Sequence, residues 1–84
     1  MSKKIYIGNL PPSATESRLS SKVSEHGHVV GVKVMADRIT GLNLGYAFVE
    51  METEAEASRA ITQLNGVAYD GWRITARTAT PQRR

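Results

Sequence analysis

Leu44-Gly45-Tyr46-Ala47-Phe48-Val49-Glu50-Met51 alternates without a break. Gly45, Ala47, Val49 and Met51 fall on one side, and Leu44, Tyr46, Phe48 and Glu50 on the other, the period of two of a strand with one buried face. A second alternating stretch, Lys4-Ile5-Tyr6-Ile7-Gly8, sets Ile5 and Ile7 against Lys4, Tyr6 and Gly8 and ends at Asn9-Leu10-Pro11-Pro12. In both, the small and aliphatic residues face one way and the aromatics the other.

Working outward, Val29 to Met35 is β-rich, with Val32 and Val34 on one face and Lys33 and Met35 on the other. The turn-like run from Asp37 to Asn43 joins it to the strand at 44–51 as a hairpin with a long loop. Thr15 is a helix N-cap with Glu16 at the positive end of the dipole, Leu19 and Val23 share one stripe, and Gly27 is expected to close this helix. Thr53 and Glu56 have the spacing of a capping box ahead of Ala57, Ala60, Ile61 and Leu64, and Asn65-Gly66 stops the second helix. After a turn at Tyr69-Asp70-Gly71, Arg73 to Arg77 reads as a last strand with Ile74 and Ala76 inward. Trp72 shares their parity and is expected to cover the edge of the core in preference to stacking on a base.

The order is therefore βαββαβ. With both helices on one face of a four-stranded antiparallel sheet, the fold class is α+β of the ferredoxin-like type. One domain is expected over residues 1–79, and the basic tail at 80–84, with Pro81, Arg83 and Arg84, is expected to be disordered. Eighty-four residues bury only about 60–65% of the unfolded chain's surface, which favours work on a surface over a deep active site. There is no cysteine, hence no disulfide and no thiolate metal site. His26 and His28 lack further ligands at metal spacing, and the serines around the first helix read as polar surface. Neither a phosphate-binding glycine loop nor a nucleophile beside a base is present, so no enzyme, cofactor or small-molecule substrate is expected. No apolar run approaches a membrane span or a signal peptide; a soluble, monomeric, cytoplasmic protein is expected, or a nuclear or organellar one in a eukaryote.

The formal net charge is +3, and the residues after Gly71 include four arginines and no acid, which points toward a polyanionic partner. Of five aromatic residues, Tyr6, Tyr46 and Phe48 converge on the face the helices leave open. Exposed rings of this size gain little from burial. Flanked by Lys4, Lys33, Arg73 and Arg77, they suit single-stranded nucleic acid, whose bases stack on the rings while cations meet the phosphates.

Ile5-Tyr6-Ile7-Gly8-Asn9-Leu10 resembles the hexamer motif of the RNA-recognition motif family, and residues 44–51 resemble its octamer. The Asp37-Arg38-Ile39-Thr40-Gly41 loop and Leu64-Asn65-Gly66 are also similar, so that the resemblance covers residues 3–79. It implies a non-catalytic module for single-stranded RNA, with single-stranded DNA as a further candidate. Tyr6 and Phe48 would each stack on a base, and Tyr46 would pack on the sugars between them. Lys4, Asn9, Lys33, Arg73, Thr75 and Arg77 complete the implied RNA-binding set, and Gly45 and Ala47 are expected beneath the sheet. Two departures bear on binding. Leu44 stands where the family favours a cation, which removes a contact worth about 1.5–3 kcal/mol at most, and Glu50 would repel a phosphate passing over it. Both support an alternative in which the apolar patch holds a protein partner or a second copy of the chain.

Overall fold

The computed structural model describes residues 3–79, so the tail at 80–84 lies outside the described residues. The chain runs β1 (Lys4–Gly8), α1 (Glu16–Ser24), β2 (Val29–Ala36), β3 (Asn43–Met51), α2 (Glu54–Leu64), a short hairpin of β4 (Ala68–Tyr69) and β5 (Trp72–Arg73), and β6 (Thr75–Thr78). Four strands form an antiparallel sheet in the order β2-β3-β1-β6. β1 and β3, the two alternating stretches, are its centre.

Alternation in the sequence becomes a two-sided sheet. Ile5, Ile7, Ala47, Val49 and Met51 are fully buried against Leu19 and Val23 of α1 and Ala57, Ala60 and Leu64 of α2. Both helices cap as their sequences require: Thr15 Oγ1 accepts from the Arg18 N–H, and Thr53 Oγ1 accepts from the Glu56 N–H. Glu56 goes further than its own helix. Its Oε2 accepts from the His28 N–H at 3.1 Å, tying the start of α2 to the turn before β2, and this bond holds the carboxyl below its usual range.

Gly27 does not close α1. The helix ends at Ser24 with Glu25 as its cap, and Gly27 follows in near-extended backbone. A Cβ there would lie 2.8 Å from the Cβ of Glu56, so this glycine admits α2 rather than terminating α1. Gly45 departs from expectation as well. It sits at a register shift between β2 and β3 with φ +94°, where an added Cβ would meet nothing within 4 Å. A bulge therefore accounts for Gly45, and of the two small residues only Ala47 packs beneath the sheet.

Both outer strands have backbone donors met by side chains from the helical layer. Glu16 accepts from the Val34 N–H on β2, and Asn65 Oδ1 accepts from the Ala76 N–H on β6. Each bond covers part of an otherwise open edge.

The last strand is divided. Asp70 and Gly71 both take positive φ and turn β4 back on β5, while the Ile74 N–H bonds to the Val67 carbonyl instead of joining the sheet. Ile74 and Ala76 still point inward. Trp72 pairs with Tyr69 in the hairpin and is 43% exposed, outside the buried core cluster. The ring buried from this hairpin is Tyr69. Its hydroxyl is buried with no hydrogen-bond partner among the described residues, and burial raises its pKa, with Asp70 adding to the rise and Arg18 opposing it. An unmet buried hydroxyl costs about 1–3 kcal/mol, so Tyr69→Phe should raise unfolding stability by about 1 kcal/mol in urea titration. A loss of that size would instead show that the hydroxyl is bonded in solution.

Candidate nucleic-acid interface

β1 and β3 pair so that Lys4 faces Glu50, Tyr6 faces Phe48, and Gly8 faces Tyr46. Opposite residues of an antiparallel pair stand on the same side, so Tyr6, Tyr46 and Phe48 meet on the open face. Their centroids form a near-equilateral triangle with sides of 5.8, 5.9 and 6.0 Å. Two of the pairs are edge-on and the third is tilted, the arrangements that ring quadrupoles favour. Each ring is half-buried rather than freely exposed, since each shelters the others.

Cations border this cluster unevenly. Arg77 of β6 lies opposite Tyr6, with its guanidinium carbon 4.8 Å from the ring centroid. Lys33 of β2 lies opposite Phe48, and Lys4 stands beyond Tyr6 beside Glu50. Thr75 faces Gly8 and is exposed. Tyr6, Phe48 and Arg77, with Thr78 and Ala79, line a shallow depression open to solvent. Six of the residues expected from the sequence, Lys4, Tyr6, Lys33, Tyr46, Phe48 and Arg77, thus share one face, with Thr75 at its end.

Arg73 and Asn9 are placed otherwise. Arg73 belongs to the β4–β5 hairpin, and its carbonyl accepts from Asn9 Nδ2 at 2.8 Å. Asn9, in the left-handed region with φ 58°, is therefore a tie between the first loop and the hairpin. Asn43, which sequence reasoning missed, makes a similar tie. Its amide donates to the carbonyls of Pro11 and Ala14 and its Oδ1 accepts from the Gly45 N–H, fixing the β1–α1 loop against the bulge of β3.

The β2–β3 loop is held by its own side chains. Asp37 Oδ1 accepts from the N–H groups of Ile39 and Thr40, which hold its carboxyl below the usual range, Thr40 contributing most. Ile39, Leu42 and Leu44 are exposed there. Among the described residues no three His, Asp or Glu side chains come together as a metal site, and no helix is long and apolar enough to cross a membrane.

A four-stranded sheet backed by two helices, with aromatics on the bare face of its two central strands, defines a class of small binding domain. The chain belongs to the RNA recognition motif family, whose model matches residues 5–75. It is 40% identical over 93% of its length to the protein RbpD of Nostoc sp., covering 83% of that protein. The 31 kDa chloroplastic ribonucleoprotein of Nicotiana sylvestris is 43% identical over 99% of this chain, which spans only 26% of that protein's length. Among solved structures, the Sxl-lethal protein/RNA complex superposes with a TM-score of 0.93 at 29% identity, over 98% of this chain and 49% of that one.

Proposed function

We propose that the open face binds single-stranded RNA without catalysis, engaging two to four nucleotides. Bases stack on Tyr6 and Phe48, Tyr46 packs on the sugar between them, and Lys4, Lys33 and Arg77 meet phosphates, with Thr75, Asn9 and, from the adjoining hairpin, Arg73 at the margin. The observation that carries this reading is the triangle of rings, each within 6.0 Å of the others, with Arg77 against Tyr6. Membership of the family and the names of the relatives support it. The role is post-transcriptional, exercised by a monomer in the cytoplasm or an organelle, and the chloroplastic names of relatives support the organellar setting.

Amide NMR titration of the ¹⁵N-labelled chain with a random-sequence RNA pool tests the reading. Shifts should concentrate at Tyr6, Tyr46, Phe48 and Arg77 and weaken as salt is added. Shifts confined to the helices, or none at low salt, would refute it. Exposed Ile39, Leu42 and Leu44 favour a second reading, a contact with a protein partner or second copy through the apolar end of the face. Such a contact would not weaken with salt.

A further inference from the structure

Gly8 lies on the open face, two residues along β1 from Tyr6, with Tyr46 beside it on β3 and Thr75 on β6. It is nevertheless buried. Its cover is the hydroxyl end of the Tyr6 ring: a Cβ at position 8 would lie 2.7 Å from Tyr6 Oη, 2.9 Å from Cε2 and 3.0 Å from Cζ. Carbon atoms in good contact are about 3.5–4.0 Å apart, so a side chain here obliges the end of the ring to move. Backbone conformation does not call for glycine here, since Gly8 is absent from the positive-φ residues and sits in regular pairing on both sides. A glycine within a strand is destabilising relative to alanine. What it provides in return is space.

We infer that Gly8 is the positioning residue of Tyr6, its missing side chain forming the seat into which the ring settles. The inference rests on the proposed role of Tyr6 as a stacking platform. Seated at Gly8, the ring stands 5.8 Å from Phe48 and 5.9 Å from Tyr46, and within reach of the Arg77 guanidinium. Any side chain at position 8 displaces the end of the ring from that place, because the ring is the movable partner and the strand is not. The platform is then lost while the core beneath it, built from Ile5 and Ile7, is untouched.

Gly8→Ala, Tyr6→Ala and the double variant of the full chain test this. In the free wild-type chain, cross-relaxation between the Gly8 α-protons and the Tyr6 ring ε-protons is expected, and in Gly8→Ala the Tyr6 ring resonances should move. Gly8→Ala should bind a random-sequence single-stranded RNA nonamer about tenfold more weakly, the fold-change of one weakened stack. In the Tyr6→Ala background the same substitution should change affinity by less than twofold, and the double variant should melt no lower than Tyr6→Ala alone. An unmoved ring, an unchanged affinity, or an equal loss in both backgrounds would each overturn the assignment. If the wild-type chain bound no RNA, the reading of the face would fall, and the ring resonances of Gly8→Ala would still decide whether Gly8 seats Tyr6.

Discussion

Replacing Tyr6 and Phe48 together with alanine is expected to weaken RNA binding by between about 30-fold and 10⁴-fold, because each base loses a stack worth about 1–3 kcal/mol. The range is wide since the rings touch, at 5.8 Å between centroids, and neighbouring losses do not add. Removing both also dissolves the triangle, leaving Tyr46 without a ring partner and Arg77 without its stacking surface. Stability should fall as well. Neither ring belongs to the core cluster, but all three ring pairs are lost at about 0.5–1.5 kcal/mol each, so a loss of about 1.5–4.5 kcal/mol is expected in denaturant titration. Affinity measured well below the melting point separates the two effects. Retention within threefold of the wild-type affinity by a folded double variant would remove the stacking platform from the mechanism.

The features of the fold legible in the sequence are those encoded locally. The alternation of β1 and β3 announces which side of each strand meets the helices, and Thr15 and Thr53 announce helix starts by residue type alone. Once those strands are paired at the centre of a sheet, Tyr6, Tyr46 and Phe48 must share its bare face. Contacts that join distant residues through side chains were beyond such a reading. Asn9 reaches a carbonyl 64 positions away and Asn43 reaches one 32 away, and nothing in either neighbourhood names the partner. Arg73 falls off the sheet although Asp70-Gly71 is compatible with a turn into one long strand. That dipeptide is also the signal for a two-residue hairpin, which would have divided the segment correctly. Gly8 is illegible for a different reason: its meaning lies in where the Tyr6 ring goes, and a rotamer is not written in a periodicity.

Raising salt from 50 to 200 mM should weaken binding by about 7- to 50-fold if two to four phosphates are met, each contributing about 0.7 to the slope of log affinity against log salt. Two properties of the face set this modest range. Its cations, Lys4, Lys33 and Arg77, stand around the rings rather than in a continuous track, and Glu50 sits across from Lys4 where it lowers the local potential. Leu44, 51% exposed at the end of β3, contributes no charge at all. Restoring one by Leu44→Lys should steepen the slope by about 0.7 and tighten binding at low salt, and Glu50→Gln should tighten it by relieving repulsion. An apolar contact with a protein partner behaves in the opposite way. Burial of Ile39, Leu42 and Leu44 against another surface would hold its affinity as salt rises, and Leu44→Lys would weaken it by placing a charge in an apolar seam. The sign of the Leu44→Lys effect therefore decides between the two readings of the same face.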